Sequence, residues 1–164
     1  KLEQEAQKQW QRWKKRLTNA KKPYLERNAL QRSTANIRKT TLLFEKKEYS
    51  MVIVRSVTAF DVYIDGILCE GLQDRIKNRK VINLILKRIP SQDKLDILMK
   101  EAYGFAIRDF CPKELERLRK VRQERNDVVH KGTFSRKASA EDAMDTVIDL
   151  IRKIRVRIKK LKKV

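Results

Sequence analysis

The chain has 164 residues, 41% of them hydrophobic and 38% charged, with four Gly, three Pro and a net charge of +20. That length fits one domain with an appended arm, and the apolar fraction suffices for a core. The scarcity of Gly and Pro favours long helices over strands. The charge is uneven: residues 1–50 hold 14 Lys/Arg against 5 Asp/Glu, residues 51–149 hold 19 against 16, and residues 150–164 hold 8 against none. Cationic ends around an ordinary middle suit a polyanion such as nucleic acid, because each phosphate neutralised releases counterions. The plain alternative is a solvated basic surface that maintains solubility. Cys69 and Cys111 are too few and too far apart for a disulfide framework, and with one His they argue against a zinc site. Both sit beside apolar residues, as buried thiols in a reducing, cytoplasmic compartment would. No signal peptide is visible, and a chain starting at Lys1 is expected to be a fragment or to lack its first residues. The most apolar run, Met51 to Cys69, carries Arg55, Asp61 and Asp65 and makes a poor membrane span.

Taken in order, residues 1–20 read as a basic amphipathic helix with Leu2, Ala6, Trp10, Trp13 and Leu17 on one side. Lys14, Lys15 and Arg16 are its candidate phosphate contacts, and Pro23 ends it. Both tryptophans can instead pack on the body of the domain. Residues 24–46 read as a looser helix, open to a split near Ser33. Residues 1–46 are grouped as a basic helical arm and residues 47–164 as the helical domain. Residues 47–71 form the central helix, with one polar stripe of Thr58, Asp61 and Asp65 on an apolar cylinder. Carboxylates in such a place need a cation, and an Arg of the 112–131 helix is available. Residues 72–89 read as a continuation that stops at Pro90. Ser91 then suits the N-cap of a short helix over 92–103, followed by a connection from Gly104 to Cys111. The next helix starts at Pro112, which suits a first turn, and stops at Gly132, a natural C′ residue. Ser139 and Asp142 resemble a capping box that opens the last helix. From Arg152 to Lys163 that helix alternates cations and aliphatic residues.

Near the end of the 112–131 helix lies Arg125-Asn126-Asp127-Val128-Val129-His130, which contains the sole histidine. This string resembles the Arg-x4-6-His motif of the HEPN superfamily, including the Asn directly after the Arg and the place near a helix end. The resemblance covers residues 48 to 164. It implies an all-α antiparallel helical bundle, usually dimeric, and in many members a metal-independent RNA endonuclease with no cofactor. Ser56 to Ile64 also resembles the HEPN helix that carries an acidic residue, with Asp61 in the acidic place; a structural ion pair is the other reading of Asp61.

The residue types suit the chemistry. Cutting RNA requires a proton removed from the 2′-OH, a proton given to the leaving 5′-oxygen, and stabilised phosphoryl charge. Imidazole titrates near neutrality, and guanidinium matches phosphate in two-pronged fashion. Arg125 and His130, five apart, fall about 140° apart around a helix, whereas Asn126 and His130 share a face. Asn126 is therefore expected to orient the imidazole. One histidine cannot be base and acid in the same step; the dimer that the resemblance implies supplies two. Expected products carry 2′,3′-cyclic phosphate and 5′-OH ends. Lys131, Arg136 and Lys137, with Arg152, Arg155, Lys159 and Lys160, are the candidate RNA contacts of the domain. Toxin–antitoxin, defence and RNA-processing roles all fit, with an antitoxin, a regulatory partner or further domains of the same chain as possible partners. Two rivals are a HEPN-like module that binds RNA or dimerises without cutting, and a helical DNA-binding or scaffold protein. For His130 the plain alternative is a cation capping the helix dipole.

Overall fold

The computed structural model describes residues 28–161. Six helices make up an all-α bundle among the described residues: α1 (Ala29–Glu45), α2 (Tyr49–Leu72), α3 (Arg79–Arg88), α4, α5 (Pro112–Lys131) and α6 (Lys137–Leu161). The fourth is three joined pieces, Ser91–Asp93, a π-helical stretch Lys94–Leu98 and Met99–Tyr103. The amphipathic helix expected over residues 1–20, with Trp10, Trp13, Lys14, Lys15 and Arg16, lies outside the described residues, as do residues 24–27, Lys162 and Lys163.

The central place of α2 follows from its composition. Val52, Ile53, Ala59, Phe60, Tyr63, Ile64 and Leu68 are buried on several sides of it. Leu118 of α5 and Leu150, Ile151 and Ile154 of α6 complete the interior. Helix α1 packs along α2 as part of the same core, through Ala29 and Ile37. Residues 29–45, which the charge distribution groups with the basic arm, are thus a wall of the bundle.

The loose apolar pattern of α1 has a physical reason. Its buried face holds Ser33, Thr34, Asn36 and Thr40. Thr34 and Thr40 hydroxyls donate back to the carbonyls of Leu30 and Asn36 at 2.7 and 2.9 Å. Ser33 donates across to the Ala59 carbonyl at 3.0 Å. Satisfied in this way, polar groups are buried without penalty, and the helix runs unbroken through Ser33. It begins at Asn28, whose side chain accepts from the Gln31 N–H at 2.9 Å while Gln31 accepts from the Asn28 N–H at 3.2 Å. This reciprocal cap replaces the earlier start expected at residue 24.

Three other boundaries differ from expectation. The helix read across residues 72–89 is interrupted at 73–78, where Asn78 caps α3 by accepting from the Lys80 N–H at 3.0 Å. The turn lets α3 double back, so that Ile82 and Leu86 are buried. In α4 the cap position is held by Pro90 rather than Ser91, with no side-chain cap bond. Helix α6 starts two residues before Ser139, because the Arg136 carbonyl already accepts from the Ala140 N–H at 3.1 Å. Helix α5 matches expectation at both ends, with Pro112 in its first turn and Gly132 left-handed at φ 65°.

No helix among the described residues is long and apolar enough to cross a membrane.

Candidate active site

The inward face of α5 fixes what its outer turns present. Leu118 and Val121 are buried against the core. One position on, Arg122 reaches α2, where its Nη2 donates to Asp61 Oδ1 at 2.6 Å. Its guanidinium carbon also lies 5.8 Å from the Phe60 ring centroid. The expected Arg partner for Asp61 is therefore Arg122. Burial pushes the Asp61 carboxyl above the usual carboxylate value, and the neighbouring Arg122 charge and hydrogen bond oppose that shift. The rest of the polar stripe is also satisfied. Thr58 donates to the Val54 carbonyl at 2.9 Å, and Lys94 of α4 donates to Asp65 at 2.7 Å. The lysine is 29 residues from its partner, and no local pattern in the sequence signals the pairing.

The motif itself occupies the last two turns of α5. Arg125 is half-buried and its Nη1 donates to Asn126 Oδ1 at 3.0 Å. Asn126 thus contacts Arg125, where the helical spacing favoured His130. Asp127 accepts from Gln123 and pairs with Lys131 at 2.8 Å; the Lys131 hydrogen bond holds its carboxyl below the usual value. His130 is exposed, and its imidazole makes no hydrogen bond or ion pair with the described residues. Arg125 and Asn126 are brought together; Asp61 belongs to a separate pair with Arg122.

The loop after Gly132 returns over the start of α2, with the Ser135 N–H donating to Ser50 Oγ at 2.9 Å. At this end Val129, Phe134 and Met51 are exposed apolar side chains, Phe134 at 97% of its surface. A phenylalanine in a loop of cations is a sequence signal for such a patch, one that a reading centred on charge passes over.

The candidate RNA contacts fall into two groups. Lys131, Lys137 and Arg152 pair with Asp127, Glu141 and Asp149, so their charge is partly spent inside the protein. Lys137 also lies 6.0 Å from the Phe44 ring centroid. Arg136 and Lys160 are exposed and have no ion pair with the described residues. Arg155 and Lys159 line a separate pocket of about 140 Å³ with Tyr63, Glu70 and Tyr103.

Chemically, the end of α5 offers an imidazole and, nearby in sequence, Arg136, neither paired with the described residues, together with one guanidinium steadied by an amide and an apolar fringe. Comparison of the chain with protein-family models, with curated proteins and with solved structures finds no match.

Proposed function

We propose that the chain is a HEPN-type, metal-independent RNA endonuclease working as a homodimer. The observation that carries this reading is His130: the sole histidine, exposed at the end of α5 and without a partner among the described residues, within the Arg125–His130 motif. In this reading Arg125, held by Asn126, binds the scissile phosphate and offsets the charge that builds on its oxygens. One His130 removes the 2′-OH proton as O2′ bonds to phosphorus. The second copy's His130 protonates the 5′-oxygen as the P–O5′ bond breaks. Cyclic phosphate and 5′-OH ends result. The exposed Val129, Phe134 and Met51 beside the motif support a second copy seated there, since apolar surface gains by leaving water. Arg136 and Lys160 supply unspent cations for the RNA backbone, and Asp61 acts structurally through Arg122.

A second reading, a HEPN-like module that binds RNA or dimerises without cutting, is favoured by one observation: Asn126 contacts Arg125 rather than the imidazole, so none of the described residues orients His130.

The test is cleavage of a mixed RNA pool in EDTA by wild type and by His130→Ala. Cutting by wild type alone, with cyclic-phosphate ends, is the expected result. Cutting by neither favours the binding module, and equal cutting by both excludes His130 from the chemistry.

A further inference from the structure

We propose that the cleft between α1, α2 and α3 is a second site, which binds the phosphate of a nucleotide-sized ligand independently of His130. The cleft has a volume of about 360 Å³. Three cations line it: Arg32 from α1, and Arg79 and Lys87 from α3. Arg79, Asn83 and Lys87 recur every four residues, so one face of α3 lines the cleft. None of the three cations has an ion pair with the described residues. The one carboxylate in the lining, Asp65, is already engaged by Lys94 at 2.7 Å. Among the described residues, the cleft thus holds three positive charges that no ion pair compensates.

Two further features point to a ligand. Arg32 Nε is buried without a hydrogen-bond partner among the described residues, a costly condition that an acceptor oxygen in the cleft would relieve. Its Nη2 lies 3.4 Å from where a Gly66 Cβ would stand, so the guanidinium sits at the α2 floor of the cleft. Guanidinium groups match phosphate oxygens in pairs, and Lys87 adds a point charge. Val62 and Leu86 give an apolar wall, and the Asn83 amide can meet a base or sugar edge. The volume falls in the ~300–1,000 Å³ range of small-molecule sites, more than a bare phosphate needs. The loop after His130 is tied to Ser50, and Asp65 is fifteen residues further along α2, about 22 Å at helical rise. The cleft is therefore distinct from the α5 motif.

Calorimetric titration tests this, with a mixture of AMP, GMP, CMP and UMP, then inorganic phosphate, then uridine. The proteins are wild type, Arg79→Ala/Lys87→Ala, His130→Ala, and Lys39→Ala/Lys46→Ala, which removes the same charge from exposed positions of α1 and its end. Nucleotides should bind wild type, His130→Ala and the lysine control alike, and bind the cleft double variant at least about tenfold more weakly. Uridine should not bind, and inorganic phosphate should bind more weakly than nucleotides. Equal weakening in both double variants would reduce the site to general charge attraction and overturn the proposal. No nucleotide binding by wild type, or loss of binding in His130→Ala, would do so as well. Phosphate binding as tightly as nucleotides would overturn the nucleotide assignment. Because His130→Ala is read separately, failure of the cleavage reading leaves this result standing.

Discussion

Gly66→Ala is the substitution whose effect the structure works out most fully. A Cβ added there would stand 2.4 Å from Ala29 Cβ and 2.8 Å from Ala29 Cα. The obstacle includes backbone of α1, which no rotamer change can clear. Overpacking of this kind costs ~1–3 kcal/mol, and the backbone contact places it at the upper end. Alanine is better than glycine inside a helix by ~1 kcal/mol, which offsets part of the cost. The net expectation is a loss of about 2 kcal/mol, equivalent to a fall in Tm of roughly 4–8 °C for a domain of this size. Urea unfolding followed by far-ultraviolet circular dichroism measures it, with the midpoint lowered and the slope unchanged. Gly71→Ala provides the contrast. Its Cβ would meet the Tyr103 ring at 2.8 and 2.9 Å and Ala102 Cβ at 2.9 Å; of these atoms of α4 only the Tyr103 ring can shift without moving backbone, and no backbone atom is met directly. Its loss should be smaller. A neutral or stabilising Gly66→Ala would show that α1 slides freely on α2, and would refute close approach as the reason for the glycine.

Other predictions concern charge and reactivity. Arg122→Met should destabilise more than Asp61→Asn, by ~1 kcal/mol after allowing for the partial exposure of Asp61, because the first strands a carboxylate whose charge burial already disfavours. A group with a raised folded pKa favours folding as pH falls, so the Arg122→Met defect should shrink on acidification; a constant defect from pH 7 to 4 would contradict this. The Lys153 hydrogen bond holds Glu114 below its ordinary value of 4.5. Burial alone would raise Asp149, but hydrogen bonds from Lys153 and Arg152 outweigh it and leave it below 3.8. Lowered carboxylates contribute stability above their ordinary values and lose it as pH falls through the lowered ones. Lys153→Met should therefore lower Tm at pH 7 and converge with wild type in strong acid; parallel curves would exclude the pair as the cause. Burial pushes the Cys111 thiol up to about 11, so a thiol reagent at pH 7.5 should modify it only on unfolding. Rapid labelling of native protein at Cys111 would show that this part of the core opens.

Much of this fold is local in origin and was legible along the chain. Helical periodicity in α2, α5 and α6, Pro112 at a helix start and Gly132 at a helix end depend only on neighbours within one or two turns. The polar stripe of α2 even announced its need for an Arg from α5. The Arg125–His130 spacing belongs to the same class, as does the uneven distribution of charge. Contacts across the bundle were not legible, because they depend on which faces meet. Ser33 looked like a place to split α1 until Ala59 supplied its acceptor. The turn at residues 73–78 reflects the burial of Ile82 and Leu86, which no window of sequence weighs against helix propensity. Lys94 meeting Asp65, Asn126 meeting Arg125, and Arg32, Arg79 and Lys87 facing one cleft join residues from separate helices or select one neighbour among several. Sequence alone determined most of the helices and the cations available; tertiary packing decided where one helix breaks, which of those cations are spent on carboxylates and which remain for a ligand.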